Sequence, residues 1–377
     1  MRWGTAAIVA AAAVGTGAAV LLIGRRVSER AVRPGFAGMG LSGRGGARPG
    51  IRVQDLAADR VTLTRSVETE RPGRYALEWT DGGHAVIGDV LATGPQSVTR
   101  RLLATGAGTL RTGTEVRVTA RTEIGDPASA LGLDFTETVV DGELGPMPAW
   151  YLPGIRGVWA ILVHGPGTDR QQALPVLPVL HALRMPVLVV THRGDEGAPP
   201  SPDGLGHFGE TEWRDVESAV RFAHAHGAGR IVLYGWSLGA TMALHTAARS
   251  AWRDSLAGLV LDSPVLDWPA TVRREAARAG VPAPLAELGA LAAEGRSGVD
   301  LAGFARLAAG TDLQVPALLL HSPVDAVAPW SASARLAARR DDLVSLHAVP
   351  DGAHAALWNA DPDGYGEALR RWLTPLL

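Results

Sequence analysis

A short stretch near the middle of the chain combines a strand, a tight turn and a helix. Four β-favouring apolar residues, 231–234, lead into Gly235-Trp236-Ser237-Leu238-Gly239, and a helix-forming run follows from Thr241 to Arg249. Glycines flank the serine because side chains at so sharp a turn would collide with the strand or the helix. The turn would lift the Ser237 hydroxyl clear of the sheet and aim the Leu238 N–H at a forming oxyanion. The stretch therefore predicts a nucleophilic serine; an ordinary strand-to-helix turn is the alternative.

Composition excludes several classes of function. The 377 residues are 46% hydrophobic and 20% charged, as in a globular protein with a real core. A net charge of −2 gives no electrostatic basis for nucleic-acid binding. Without cysteine there is no disulfide, thiolate nucleophile or cysteine-ligated metal. No group of His, Asp or Glu has metal-ligand spacing, so we expect neither a metal nor a cofactor.

The chain begins with an uncharged segment, residues 4–24, rich in Ala, Val, Leu and Ile. As a helix it would be about 31 Å long, enough to cross the hydrocarbon core. A signal peptide is the rival interpretation, but the run ends in Leu21-Leu22-Ile23-Gly24-Arg25-Arg26 without a small-residue cleavage site. We predict an uncleaved single-pass membrane anchor over residues 1–24. The arginines after it favour a cytoplasmic location for the downstream chain.

Two further regions precede the chemistry. Residues 25–50 are rich in Gly, Arg and Pro, and we predict a flexible linker. Residues 51–130 contain short β-type runs between turn signals, such as Tyr75–Trp79 and 84–90, with Asp81-Gly82-Gly83 as a hairpin connection. We predict a small, mostly antiparallel accessory domain there.

From residue 131 to residue 377 strands alternate with helices. Val158–Val163 is an apolar run typical of a strand buried on both faces, and a helix is predicted from Asp169 to Leu183. The alternation predicts an α/β domain with a mostly parallel, doubly wound sheet. An Ala-rich helical insert at about 267–311 would lie over the carboxyl ends of the strands as a small cap.

Two polar residues after the turn complete a possible catalytic triad. Asp325 follows the apolar run Leu318–Leu320, and His354 follows a strand and a glycine-bearing turn. A serine hydroxyl needs a base to take its proton, and the base needs a group that orients it. The order Ser237, Asp325, His354 supplies both, with Asp325 accepting from His354 Nδ1. Asp262, which also follows a strand, is the alternative acid.

A second oxyanion donor besides Leu238 is expected after the strand that ends at His164. Pro166 has no N–H and cannot donate. The candidates are therefore the N–H groups of Gly165 and Gly167.

Residues 134–377 resemble the α/β-hydrolase superfamily. The resemblance lies in His164-Gly165-Pro166-Gly167, Thr191-His192-Arg193-Gly194-Asp195, Glu212-Trp213-Arg214-Asp215, the Gly-x-Ser-x-Gly turn, Asp325 and His354. More narrowly, the chain is similar to membrane-anchored bacterial hydrolases, of actinobacterial type, related to prolyl-oligopeptidase-like and dienelactone-hydrolase-like enzymes. His-Gly-Pro-Gly replaces the His-Gly-Gly-Gly of hormone-sensitive-lipase-type esterases, which disfavours that subclass.

These features predict a serine hydrolase that cleaves an ester-like bond, or alternatively an amide, in a small acyl substrate. An acyltransferase with the same triad is one alternative. A membrane-tethered binding protein without catalysis is the other, because one fold can host many functions. The sequence names no protein partner.

Overall fold

The computed structural model describes residues 50–278, 280–298 and 301–377. The predicted anchor (residues 1–24) and all but the last residue of the predicted linker (residues 25–50) lie outside these ranges. Within them, no helix is both long and apolar enough to cross a membrane.

The N-terminal part of the described chain forms an antiparallel six-stranded sheet in the order β1-β2-β5-β4-β3-β6. The apolar run predicted at Tyr75–Trp79 coincides with β3, and a 3₁₀ turn at Thr80–Gly82 connects it to β4. Because side chains alternate between the faces of a strand, Val61 and Leu63 enter the core of this sheet while their neighbours face outward. The strands are β1 (Val53–Leu56), β2 (Arg60–Thr64), β3 (Tyr75–Trp79), β4 (Gly83–Thr93), β5 (Ser97–Thr105) and β6 (Arg117–Thr119).

A buried arginine fixes the loop between β2 and β3. Arg100 is 0% exposed, yet its guanidinium meets carbonyl groups rather than a carboxylate. An uncompensated buried donor would cost free energy, so these hydrogen bonds are what allow the side chain to be buried. The carbonyls belong to Gly88 (2.7 Å), Thr69 (3.1 Å), Arg71 (2.8 Å) and Gly73 (2.8 Å).

The rest of the chain is built on an eight-stranded sheet in the order β14-β13-β12-β11-β9-β10-β8-β7. Strands β9 to β14 are parallel, and β7 and β8 add an antiparallel edge. The strands are β7 (Thr136–Asp141), β8 (Pro146–Leu152), β9 (Val158–Val163), β10 (Val187–Val190), β11 (Arg230–Trp236), β12 (Leu256–Asp262), β13 (Ala317–His321) and β14 (Val344–Ala348).

Helices cover both faces of this sheet, which explains why its central strands are continuously apolar. Along β11, Leu233 belongs to one buried cluster and Tyr234 to the cluster on the opposite face. The helices are α1 (Val67–Glu70, in the N-terminal domain), α2 (Pro127–Leu131), α3 (Leu177–Ala182), α4 (Trp213–Ala225), α5 (Leu238–Arg249), α6 (Trp268–Arg278), α7 (Ala283–Ser297), α8 (Leu301–Ala309), α9 (Trp330–Arg339), α10 (Leu357–Ala360) and α11 (Pro362–Leu373).

The connection between β9 and β10 differs from the single helix predicted at Asp169–Leu183. It starts as a 3₁₀ helix at Arg170–Val176 and becomes α-helical only at Leu177. Pro175 lies inside the 3₁₀ segment and has no N–H for an α-helical hydrogen bond. Helices α6, α7 and α8 occupy the region between β12 and β13 where the cap is predicted.

The two sheets are joined through helix α10. Asn359 Nδ2 donates to the backbone carbonyls of Arg74 and Ala120, both at 2.9 Å. The backbone carbonyl of Asn359 accepts from Arg74 N–H at 2.7 Å. A Cβ atom on Gly73 would lie 2.1 Å from the Asn359 carbonyl oxygen, so the backbones meet directly. The six-stranded sheet and its loops, called the N-terminal or smaller domain below, are thereby fixed to the segment that follows His354. The eight-stranded sheet and its helices are called the larger domain.

Candidate active site

The turn between β11 and α5 holds Ser237 in strained backbone geometry. Its φ is 52° and its ψ is −113°, a conformation that L residues rarely adopt. A Cβ on Gly235 would lie 2.3 Å from Ala240 N, and one on Gly239 would lie 2.1 Å from the Val163 carbonyl oxygen. Both glycines are therefore required by close packing, as the sequence predicts.

The structure brings Ser237, His354 and Asp325 into one hydrogen-bonded chain. His354 Nε2 lies 2.8 Å from Ser237 Oγ, and His354 Nδ1 lies 2.8 Å from Asp325 Oδ2. A carboxylate can only accept, so Nδ1 carries the proton and Nε2 accepts from the serine hydroxyl. The three side chains follow β11, β14 and β13, and all three are buried. This arrangement can transfer the serine proton to the histidine as a nucleophile forms.

Asp325 accepts hydrogen bonds from three groups besides His354. Its Oδ1 accepts from the N–H groups of Val327 (2.7 Å) and Ala328 (2.9 Å), and its Oδ2 also accepts from His321 Nε2 at 3.0 Å. Burial alone would raise the pKa of Asp325, but its electrostatic attraction to His354 and the hydrogen bonds from both histidines hold it well below its usual range. The carboxylate is therefore ionised and fixed in orientation.

His321, the last residue of β13, contacts the acid without being part of the predicted triad. His321 Nδ1 lies 2.7 Å from Ser333 Oγ, so the serine hydroxyl donates to it while Nε2–H points to Asp325. The spacing of four residues across the turn after β13 is the signal that could have revealed it.

The possible oxyanion donors differ in availability. Leu238 is the first residue of α5, where N–H groups have no intrahelical acceptor. Gly165 N–H instead donates to Gln172 Oε1 at 2.8 Å, so it would have to exchange this acceptor for the oxyanion, and its role as a donor stays a prediction. Gly167 has a φ of 71° and lines the cleft described below, which leaves it as the second candidate.

Asp262, the alternative acid, faces a different network. Its Oδ1 accepts from Ser263 Oγ at 2.8 Å and its Oδ2 from Tyr365 Oη at 2.7 Å; within the described residues it makes no hydrogen bond to His354. Burial raises the pKa of Asp262 to about 7, against the opposing effect of these hydrogen bonds. Ser263 Oγ also accepts from Ala355 N–H at 3.0 Å, which links Asp262 to the histidine loop indirectly.

A second polar group lies where β9 and β10 end. His164 Nε2–H donates to Asp195 Oδ2 at 2.8 Å, and the His192 ring stacks on His164 with 4.5 Å between centroids. Burial would lower the pKa of His164, but Asp195 raises it above its usual value, and the pKa of Asp195 falls to about 2.

Potential ligand atoms of His164, His192 and Asp195 lie within 4.8 Å of one another, although the sequence spacing indicates no such group. Imidazole lone pairs lie in the ring planes, and stacked rings do not aim them at one point. The His164 ring nitrogens already face the Gly165 carbonyl at 2.9 Å and Asp195 at 2.8 Å, so a hydrogen-bonded histidine–carboxylate pair fits this arrangement better than a metal centre.

A cleft lies beside the triad, between the two sheets. Its wall includes Trp236, which precedes the serine, and Ala355, which follows the histidine. Trp268 and Trp330 do not line this cleft: Trp268 packs against Phe208 and Phe304, and Trp330 packs against His321. The cleft residues are Ala120, Arg121, Thr122, Glu123, Gly167, Thr168, Asp169, Gln171, Gln172, Pro175, Val176, Trp236, Asp262, Ala355, Ala356, Leu357, Trp358 and Asn359.

Two comparisons of sequence give limited matches. A family model described as a domain of unknown function (DUF8805) matches residues 52–119, which contain the six-stranded sheet. No curated protein matches the chain.

Solved structures match the larger domain. The esterase Pf2001 of Pyrococcus furiosus in space group P2₁2₁2₁ superposes with a TM-score of 0.56 at 17% identity, over 67% of this chain and 94% of that chain. Its C222₁ form gives 0.54 with the same identity and coverage. Its P2₁ form gives 0.52 at 17% identity, over 67% and 96% of the two chains. Together with the strand order and the strand–serine turn–helix unit, this likeness shows that the chain has the α/β-hydrolase fold.

Proposed function

We propose that this protein is a serine hydrolase that cleaves an ester-like bond through an acyl-enzyme. The observation that carries the proposal is the hydrogen-bonded chain from Ser237 Oγ through His354 to Asp325, with the serine at a strained turn. Hydrogen-bonded polar residues are common in buried structure, but a serine, a base and an orienting acid in series are what nucleophilic catalysis requires.

The proposed reaction has two stages. Ser237 Oγ attacks the carbonyl carbon while its proton passes to His354 Nε2, and Asp325 stabilises the imidazolium. Leu238 N–H and a second donor, Gly167 N–H, bind the oxyanion. The leaving oxygen then takes the proton from His354, and the acyl group remains on Ser237. Water, deprotonated by His354, attacks the acyl-enzyme and releases the acid.

An ester is the preferred substrate class in this proposal. Pf2001, which shares the fold, is described as an esterase, and this supports the choice at the level of fold similarity. The cleft beside the triad has both apolar and polar walls, which suits an ester that carries a polar group as well as an apolar part.

Labelling with a fluorophosphonate tests the proposal in the full-length protein. We expect the wild type to be labelled and the Ser237→Ala variant to be unlabelled, because the probe reacts with an activated serine. Ser218→Ala is the control, since Ser218 Oγ donates to the Arg214 carbonyl on α4 and should not react. A folded wild-type protein that resists the probe would overturn the hydrolase proposal and favour a binding function on the same fold.

A further inference from the structure

We propose that residues 120–123, which leave the six-stranded sheet, form one wall of the substrate site. Within that wall, Arg121 binds an acceptor oxygen on the non-reacting part of the ester. This inference rests on the proposed function and assigns the N-terminal domain a part in substrate selection.

The position of the cleft carries the first step. Gly167, the second oxyanion candidate, and Ala355, next to His354, line it on the side of the larger domain, and Ala120 to Glu123 line it on the side of the smaller one. A substrate held at Ser237 that extends past Gly167 and Ala355 would therefore meet residues 120–123.

The wall is held in place from both sides. Ala120 packs against Ala353 and Ala356, which flank the His354 segment, and its carbonyl accepts from Asn359. His84, in β4, lies with Nε2 2.8 Å from the Arg121 carbonyl oxygen, so it donates to that carbonyl. A fixed wall that shares a cleft with the neighbours of the triad residues can discriminate between substrates, because little ordering is needed on binding.

Arg121 has hydrogen-bonding capacity left over. One terminal nitrogen donates to Gln171 Oε1 at 3.2 Å, and the other lies 3.9 Å from Glu78 Oε1, beyond hydrogen-bond range. Its Nε is buried and has no hydrogen-bond partner among the described residues. A buried donor without an acceptor is costly, while the side chain as a whole is 25% exposed, so a turn of the guanidinium that brings its N–H groups to an acceptor on a ligand would be favourable.

The surroundings indicate the class of ligand. Trp236, Leu357 and Trp358 give the cleft an apolar side. The matching ligand is an elongated ester, apolar along its length, with a carbonyl or carboxylate oxygen at its far end.

The test compares Arg121→Met with Arg117→Met in the full-length protein. Both arginines face Glu78, since Arg117 Nη2 lies 2.6 Å from Glu78 Oε2, but Arg117 does not line the cleft. The acyl-side substrates are 4-nitrophenyl hexanoate, 5-oxohexanoate and adipate monoester; the alcohol-side substrates are butyl acetate, 3-oxobutyl acetate and 4-acetoxybutanoate. 4-Nitrophenyl acetate, which has neither a long acyl chain nor a flexible alcohol chain, measures the basal esterase activity.

In one of the two series, we expect Arg121→Met to raise KM for an acceptor-bearing ester by about tenfold or more, with kcat nearly unchanged. Arg117→Met should change KM by less than about twofold, because Arg117 does not line the cleft. The hexanoate or butyl ester should not respond. The ketone and carboxylate members of each series distinguish a neutral acceptor from an anionic one.

If both variants have the wild-type KM for every ester in both series, the inference is overturned. Hydrolysis of 4-nitrophenyl acetate by the same proteins would leave the proposed function standing. If the wild type is not labelled by the fluorophosphonate and hydrolyses none of these esters, the proposed function fails and the inference with it. Should Arg121→Met not fold, Arg121→Lys keeps the charge but lacks the Nε–H, and the same KM increase is expected.

Discussion

Two carboxyl groups at neighbouring strand ends, Asp262 and Asp325, have opposite surroundings. Asp325 meets two histidines and two backbone N–H groups, which favour its ionised form. Asp262 receives two hydroxyl hydrogen bonds, and burial raises its pKa to about 7. The phenol groups of Tyr365 and Tyr234 that lie beside it are themselves buried, and their pKa values are raised well above the usual range. Near neutral pH, Asp262 therefore carries a proton that an exposed aspartate would have lost.

This difference predicts a pH-dependent effect of Asp262→Asn on stability. The unfolded chain loses the Asp262 proton near pH 3.8 and the folded chain only near pH 7, so the wild type loses up to about 4 kcal/mol of unfolding free energy as pH rises through that interval. The amide side chain of the variant cannot ionise, so the variant escapes this loss. Urea unfolding at pH 4 and pH 8 should show the variant gaining on the wild type by up to that amount.

The control is Asp59→Asn, at a side chain that is 69% exposed. Its difference from the wild type should be the same at both pH values. A pH-independent difference for Asp262→Asn as well would contradict the proposed protonation.

At the scale of residues, the sequence predicts the three members of the triad but misses the residues that hydrogen-bond to the site around them. Ser237, Asp325 and His354 each follow an apolar strand, and parallel strands end at one edge of a sheet. Asp262 has the same sequence signature, and its tertiary contacts alone separate it from Asp325. Gln172, whose side-chain oxygen accepts from the Gly165 N–H, lies in a connection whose sequence gives no sign of this contact.

At the scale of elements, the contact between α5 and β9 sets the position of the nucleophile. Gly239 in the first turn of α5 lies against the end of β9, where a Cβ would be 2.1 Å from the Val163 oxygen and 2.7 Å from the His164 oxygen. No flexible side chain can yield there, because both neighbours are backbone atoms.

We therefore expect Gly239→Ala to lower the unfolding free energy by at least about 2 kcal/mol, since strain in a packed core outweighs helix propensity. Gly295→Ala is the matched control in helix α7, where an added Cβ meets nothing within 4 Å. That substitution should stabilise the protein by up to about 1 kcal/mol. Chemical unfolding of both variants measures the contrast, and equal effects would contradict the close-packing argument.

The strands of the larger sheet are predictable because burial on both faces leaves continuous apolar runs, as at Val158–Val163. The connection from Asp169 to Leu183 is harder, because apolar spacing suits a helix while Pro175 prevents regular α-helical bonding at its start.

Across the whole molecule, the small domain is attached through few but direct contacts. Asn359 bonds to Arg74 and Ala120, and Gly73 allows the backbones to touch. The sequence gives no sign of this arrangement, because Gly73, Ala120 and Asn359 show no periodicity and lie far apart in the chain.

Asn359→Ala would leave two carbonyls of the N-terminal domain without their donor. We expect the unfolding free energy to fall by about 1 to 3 kcal/mol, since the Ala120 carbonyl is buried and loses its donor, while the Arg74 carbonyl is only partly buried. Asn359→Asp has the same shape but places an acceptor against both carbonyls, so it should destabilise the protein more than alanine does. Urea unfolding orders the three proteins; an unchanged midpoint in both variants would show that Asn359 does not hold the domains together.

The attachment through Asn359 also has a consequence for synthesis. Arg74 and Asn359 are 285 residues apart, so at about 5 to 20 residues per second roughly 15 to 60 s separate their emergence from the ribosome. The last strand of the six-stranded sheet ends at Thr119, so the sheet has no contact with Asn359 until the ribosome has made the larger domain up to that residue. Gly73 and Ala120 carry no side chain larger than a methyl group, so these two contact residues add little apolar surface to the face while it is unpaired.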